Sequence, residues 1–259
     1  MDYKIIVLDL DGTLTNREKK ITPRTRAALM EAQEAGKIVV LASGRPTAGV
    51  EPLARELELA RFGSYILSFN GGMITNCRTG EIMFSSLLPL EANQKIIGLA
   101  KEYGVDITNH KECLYAQTES RINHLPLRQV EMEQYVTFQV PKFLMLDDGD
   151  YLAVVEPRVK AALGRDFSVY RSEPFFLEIM PKGIDKAQSL ERLLMKLGLK
   201  REEMIACGDG YNDLSMIKYA GLGVAMENAV LPVRTAADYI TASNNEDGVG
   251  LVVEKFMLD

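Results

Sequence analysis

The chain alternates short, almost wholly apolar runs with helical patterns toward both ends, and its middle has a different texture. Apolar runs of this kind suit strands buried on both faces, and their alternation with helices predicts a parallel sheet covered by helices. Strands are predicted at Ile5 to Leu10, Ile38 to Ala42, Tyr65 to Phe69, Met204 to Cys207, Gly223 to Met226 and Tyr239 to Thr241. Thr22-Pro23 offers an N-cap and a first-turn proline to a helix whose apolar face runs through Ala28, Leu29, Ala32 and Ala35 until Gly36 stops it. A second helix is predicted from Asp185 to Leu197, with Leu190, Leu193, Leu194 and Leu197 on its inner face and Gly198 as terminator. A third spans Asp213 to Ala220, ahead of Gly221.

From about Phe84 to Gly183 the alternation breaks. Amphipathic Glu91 to Tyr103 precedes strand-like Phe143 to Leu146, a turn at Asp147 to Asp150, helical Val159 to Leu163 and strand-like Phe175 to Met180. Such an order predicts an α+β insertion, and roughly 100 residues is a usual domain size. The expectation is an α/β protein with a core made of residues 1–83 and 184–259, interrupted by an inserted unit at 84–183. The polar run Asn16 to Lys20 reads as a solvated loop.

Composition narrows the partners more than the fold. With 259 residues, 47% of them hydrophobic, the chain can bury a large core. A net charge of −6 and a pI near 5.2 argue against a nucleic-acid backbone as partner, since that binding draws on clustered cations. Cys77, Cys113 and Cys207 are odd in number and far apart, which predicts reduced thiols and neither a disulfide framework nor a zinc site. No apolar run approaches the roughly 20 residues that cross a bilayer. A cytoplasmic monomer or homodimer acting on a small phosphorylated molecule, with no membrane partner, is expected.

That substrate class comes from two acidic segments. Asp9-Leu10-Asp11-Gly12-Thr13 closes the first apolar run, and Gly208-Asp209-Gly210-Tyr211-Asn212-Asp213 follows the Met204 run. Both would lie at the carboxyl edge of the sheet, where open α/β folds bind ligands. In an extended segment Asp9 and Asp11 point to one side, so Asp9 could attack phosphorus while Asp11 moves a proton. Asp-x-Asp and Gly-Asp-Gly are also what ordinary turns and caps are made of. Carboxylates converging on an anionic substrate need a cation, and magnesium takes oxygen ligands and bridges them to phosphate. Asp9 and Asp209 are the natural side-chain ligands, with the Asp11 carbonyl as a third and Asp213 acting directly or through water. Ser43-Gly44-Arg45 follows the second strand, so the Ser43 hydroxyl and nearby N–H groups could bind a phosphoryl oxygen; the plain alternative is a capping turn. Lys186 stands at a predicted helix start, where its ammonium and the helix dipole would reinforce each other around phosphate.

Taken in order, Asp9 to Leu14, Ala42-Ser43-Gly44-Arg45-Pro46, Lys186 and Gly208 to Asp213 resemble the four motifs of the haloacid dehalogenase-like hydrolase superfamily, a match spanning nearly the whole chain. Phe69-Asn70-Gly71-Gly72, Pro181-Lys182-Gly183-Ile184-Asp185-Lys186 and Asn244-Asn245-Glu246-Asp247-Gly248-Val249 are similar to segments of its Cof-type sugar-phosphate phosphatases. The resemblance implies a Rossmann-like core with a cap of the superfamily's second, α/β type, and Mg2+ as cofactor. It implies Asp9 as nucleophile, Asp11 as acid and base, Ser43, Gly44, Arg45, Asn70, Lys182, Lys186 and Asn212 around phosphate or substrate, and Asp209 with Asp213 as metal acids. An acid at position 11 favours phosphatase or mutase over dehalogenase. A phosphosugar mutase and a non-catalytic metabolite-binding regulator stay open as alternatives. Specificity is expected from the insertion, where Glu178 and Lys182 are better placed than His110, Tyr115, Arg121, His124 and Arg128.

Overall fold

The computed structural model of the protein describes residues 2–109 and 136–258. These form two compact units, Met1–Phe84 with Asp185–Asp259, and Ser85–Ile184. Cys113, His110, Tyr115, Arg121, His124 and Arg128 lie outside the described residues.

The first unit is built on an eight-stranded sheet. Its strands are β1 (Ile5–Leu8), β2 (Ile38–Ala42), β3 (Tyr65–Ser68), β4 (Met73–Asn76), β5 (Ile82–Ser85), β10 (Met204–Gly208), β11 (Leu222–Ala225) and β12 (Tyr239–Ile240), in the order β12-β11-β10-β1-β2-β3-β4-β5. The six strands from β12 to β3 are parallel, with β1 held between β2 (Ile5 opposite Ile38) and β10 (Ile5 opposite Met204). The sheet is mixed where the sequence predicts only parallel strands, because β4 turns straight back against β3. All four residues of β1 are fully buried, as are Val39 to Ala42 and Met204 to Cys207, which is why these runs are apolar without alternation. Each Val, Leu, Ile or Met side chain among them contributes about 1.5–3 kcal/mol by leaving water. Helix Pro23–Glu34 starts at the Thr22 cap, and helix Lys186–Leu197 is capped by Asp185, whose carboxylate accepts from the Gln188 N–H.

Several predicted strand ends differ. β1 stops at Leu8, and β3 stops at Ser68 because Phe69 and Asn70 both take left-handed backbone angles, φ +54° and +53°. Burial pushes the Cys77 thiol up to about 12 and raises that of Cys207 as well, and both are free and protonated.

The second unit contains an antiparallel sheet, β6 (Asp106–Asn109), β7 (Phe143–Leu146), β8 (Phe167–Glu173) and β9 (Phe176–Pro181), in the order β6-β7-β9-β8. Phe143, Met145, Leu177 and Ile179 pack in one cluster with Ile96 of helix Leu90–Tyr103 and Leu152 and Val159 of helix Gly149–Leu163. That second helix is much longer than the predicted Val159 to Leu163. Asp148 is not the middle of a turn but the N-cap, accepting from the Asp150 and Tyr151 N–H groups, and Pro157 lies inside the helix. Glu178 is buried and pairs with Lys142 at 3.3 Å, and the Tyr170 hydroxyl donates to its other oxygen at 3.4 Å. Lys182 is exposed, its N–H donating to the Asp166 carbonyl. Among the described residues no helix is long and apolar enough to cross a membrane.

Candidate active site

Because the central strands are parallel, the segments that follow β1, β2, β3 and β10 all emerge at one sheet edge. Asp9 follows β1 directly; its N–H still donates to the Cys207 carbonyl at 3.1 Å, so its backbone stays tied to the sheet. Lys186, the first residue of its helix, is fully buried and spends its ammonium on three acceptors: Asp9 Oδ1 at 2.7 Å, Asp213 Oδ1 at 2.6 Å and the Ala42 carbonyl at 2.8 Å. It thereby ties together the ends of three strands. Burial works against its charge, but Asp213 and Asp9 outweigh burial and hold the ammonium above its ordinary value.

Asp213 is fully buried. Its Oδ2 accepts from the Asp209 and Gly210 N–H groups, both at 2.9 Å, which shapes the turn after β10. A side chain at Gly208 would meet Asp213 Cβ at 2.5 Å, so this close approach requires glycine. Asp209 accepts from the Thr13 hydroxyl at 2.8 Å. Gly12, at φ +81°, leaves no room for a Cβ, which would lie 2.3 Å from Asp209 Oδ2. Oxygens of Asp9, Asp209 and Asp213 all lie within 4.8 Å of one another. Burial, then the Asp213 charge, raise the Asp9 carboxyl well above its ordinary value, and burial lifts Asp209 to about 6. An all-oxygen, acidic donor set whose members repel one another suits a hard divalent cation.

Asp11 stands apart from this group. Arg45 grips it with two bonds, Nε to Oδ2 at 2.8 Å and Nη2 to Oδ1 at 2.6 Å, and Lys19 Nζ reaches Oδ1 at 2.5 Å. Burial favours its neutral form, but the bonds from Arg45 and Lys19 win and hold it below the usual carboxylate range. Lys19 belongs to the run read as a solvated loop, and although exposed it is engaged in the site.

Ser43 is buried, its hydroxyl oxygen accepting from the Arg45 N–H at 3.1 Å. The left-handed pair at 69–70 is held by the loop after β2: the Phe69 N–H donates to the Arg45 carbonyl and the Asn70 N–H to the Ser43 carbonyl. Asn70 Oδ1 in turn accepts from Asn212 Nδ2 at 3.1 Å, and a Cβ at Gly44 would approach that same oxygen to 3.1 Å. Two successive left-handed residues without glycine cost of order 1–3 kcal/mol each, a strain that clusters at functional sites. Ser43, Gly44, Arg45, Asn70, Asn212, Asp9, Asp11, Asp209, Asp213 and Lys186 therefore all occur in the first unit, whereas Lys182 and Glu178 belong to the second.

Thr13, Lys19 and Asn228 were not singled out by sequence. Thr13 had a signal, being a hydroxyl inside the first acidic segment. Asn228, whose amide donates to the Gly12 carbonyl at 2.8 Å, follows β11 at the same edge and could have been found by that position.

A buried lysine clasping carboxylates thus sits at the carboxyl edge of a parallel sheet, where open α/β folds bind ligands. The family model of the haloacid dehalogenase-like hydrolases matches residues 6–253. The chain belongs to that family, and it is an enzyme of the phosphatase type. It is 32% identical to the 5-amino-6-(5-phospho-D-ribitylamino)uracil phosphatase YcsE of Bacillus subtilis, over 100% of this chain and 97% of that one. Among solved structures, a haloacid dehalogenase-like hydrolase from Bacteroides thetaiotaomicron is 46% identical, with a TM-score of 0.94 over 98% of this chain and 99% of that one. The HAD subclass IIB sugar phosphatase BT4131 is 26% identical, with a TM-score of 0.82 over 98% of each chain.

Proposed function

We propose that this chain is a magnesium-dependent phosphatase that hydrolyses phosphomonoesters of small polyhydroxylated metabolites, sugar phosphates foremost, through an aspartyl-phosphate on Asp9. The observation that carries the reading is the Lys186 clasp on Asp9 and Asp213 beside Asp209. Asp9 is the nucleophile: its carboxylate oxygen bonds to phosphorus as the bond from phosphorus to the ester oxygen breaks. Lys186 fixes the rotation of that carboxylate, and its charge works against the burial and the Asp213 charge that disfavour the ionised form. Asp11 supplies the proton to the departing alkoxide, then takes one from water as the water oxygen bonds to phosphorus and the bond from phosphorus to the Asp9 oxygen breaks, which releases inorganic phosphate and restores the carboxylate.

For this work Asp11 has to leave its present partners. An anionic substrate that draws Arg45 and Lys19 toward its phosphate removes the two groups that hold Asp11 ionised, and burial then favours the protonated acid. The Ser43 hydroxyl and the Gly44 and Arg45 backbone, with Asn70 and Asn212 behind them, form the phosphate cradle. Asp9 and Asp209 are the side chains that would hold Mg2+, with the Asp11 carbonyl; Asp213, whose two oxygens already accept three hydrogen bonds, acts by charge or through water. When bound, the ion supplies positive charge against the phosphoryl oxygens and the clustered acids.

The substrate class is supported by the two named relatives, since a sugar and a phosphoribityl group both carry phosphate on a polyhydroxylated carbon chain. Residues 1–83 and 184–259 are taken as the catalytic core, and 84–183 as the unit that sets specificity. Phosphate release from a panel of sugar, polyol and aryl phosphates, with magnesium and with excess chelator, tests the reading. Turnover should need the metal and fall roughly 10⁴-fold or more in Asp9→Asn. Release that persists in that variant or in chelator refutes it.

A further inference from the structure

The segment Asn244-Asn245-Glu246-Asp247-Gly248-Val249 has no part in the steps above, yet it is tied to the loop that carries Asp11. The Asn244 amide donates to the Thr15 carbonyl at 2.8 Å, and Asn245 Oδ1 accepts from the Arg17 N–H at 3.0 Å. Asn228 reaches the same loop at the Gly12 carbonyl, and its own Oδ1 accepts from the Asn244 N–H at 3.1 Å. Three asparagines more than 200 positions away thus hold the backbone of one loop at residues 12, 15 and 17, and the three are linked in a chain, with Asn228 Oδ1 accepting from the Asn244 N–H and Asn244 Oδ1 from Asn245 Nδ2 at 3.3 Å. A turn-building asparagine bonds its own neighbours. These bond across the site.

The loop they hold is also tied to its own start, with the Thr13 and Thr15 N–H groups donating to the Leu10 carbonyl and the Leu14 N–H to that of Asp9, and it is rich in consequence. It carries Asp11, and Thr13, which donates to Asp209. A Cβ at Gly12 would lie 2.3 Å from Asp209 Oδ2, so the loop backbone passes close beside that carboxylate. Asp247, at φ +59°, accepts from the hydroxyl of Thr22, the cap of the helix into which the loop runs, so the far end is fastened by the same segment.

We infer that Asn228, Asn244 and Asn245 are positioning residues, a clamp that fixes the backbone of loop 11–17 so that Asp11 meets the leaving group. The inference rests on the phosphatase reading for what Asp11 does. The polarity of the contacts makes it testable. Asn228 and Asn244 donate to carbonyls of the loop, which a carboxylate cannot do, whereas toward the loop Asn245 only accepts, which a carboxylate can; its own Nδ2 donates to Asn244 Oδ1 at 3.3 Å.

The experiment compares N228D, N244D and N245D, three isosteric changes that add the same charge. It measures kcat and KM on glucose 6-phosphate and on p-nitrophenyl phosphate, the thermal midpoint, and amide exchange of residues 12–17. N228D and N244D should lower kcat on the sugar ester roughly 10- to 100-fold, the usual scale for a displaced supporting contact, with a much smaller loss on the aryl ester, whose leaving group needs little acid. Exchange in the loop should quicken in both, and N245D, which keeps its acceptor toward the Arg17 N–H and loses only its bond to Asn244, should lose less than either. Wild-type kcat with unchanged exchange in N228D and N244D overturns the clamp, as does an equal loss on both esters that tracks a lowered midpoint, or a loss in N245D as large as in the others. If wild-type protein hydrolyses neither ester nor any of the panel, the phosphatase reading fails, while the exchange pattern still decides the clamp.

Discussion

Replacing Lys186 by methionine should reveal how much repulsion the site contains. The change keeps an unbranched side chain of similar length and removes three hydrogen bonds, leaving Asp9 and Asp213 buried without their cation. Breaking a buried ion pair by deleting one partner costs about 3–5 kcal/mol. In a chain of this size that is about 6–20 °C in thermal midpoint, at about 2–4 °C per kcal/mol. The penalty should depend on pH with a definite sign. Asp9 already titrates above its ordinary value of 3.8, and losing Lys186 raises it further. A carboxyl whose folded pKa lies above its unfolded one makes the folded state the better proton acceptor, so stability falls as pH rises between those two values. The deficit should therefore be largest near pH 7.5 and shrink near pH 5, where a proton takes over part of the work of Lys186. Urea unfolding followed by circular dichroism, in chelator at both pH values, measures it. K186M/D213N should lose less than the sum of the single changes, since the second change removes one of the stranded charges. A deficit under about 1 kcal/mol at pH 7.5, or one indifferent to pH, would refute the reasoning about the clasp.

Other perturbations isolate single elements of the site. Asp11→Asn should lose roughly 10²- to 10⁴-fold in kcat on a sugar phosphate and much less on p-nitrophenyl phosphate; equal losses would remove Asp11 from the acid role. Gly12→Ala forces a side chain into φ +81° and against Asp209 Oδ2, so magnesium affinity measured by calorimetry should weaken roughly 10- to 100-fold, and unaltered affinity would mean Asp209 is not a ligand. Asp209 itself is raised to about 6, so metal-free stability should fall as pH climbs from about 4 through about 6, and magnesium, which competes with that proton, should bind more tightly over the same rise. A flat affinity profile between pH 5 and 7 would count against this.

The fold was legible where burial is two-sided. Ile5 to Leu8, Val39 to Ala42 and Met204 to Cys207 are continuous apolar runs because nothing polar can face outward from the middle of a covered sheet. Edge and half-exposed elements were not. Phe167–Glu173 mixes serine, arginine and glutamate because part of the strand is exposed, and Met73–Asn76 turns back in a hairpin that an alternating βα pattern does not foretell. Helix Gly149–Leu163 was masked by Pro157 and by an Asp-Asp-Gly-Asp start that serves equally as a cap or a turn. Within the site, the acidic segments and Lys186 could be picked out because their residue types are costly to bury without a purpose. The grip of Arg45 and Lys19 on Asp11 could not, since an exposed lysine carries no mark of what it reaches.

The position of β1 has a consequence for how the chain is made. It pairs on one side with β2, about 30 residues later, but on the other with β10, about 200 residues later, across the register Ile5 to Leu8 against Met204 to Cys207. During synthesis at about 5–20 residues per second, the fully apolar β1 waits roughly 10 to 40 s with one row of amides and carbonyls unpaired. An open apolar edge is a template for pairing with other chains. The same long loop closure that brings Asp209 beside Asp9 makes late pairing slow. The strand that leads into Asp9 is thus a segment in need of protection until β10 has been made.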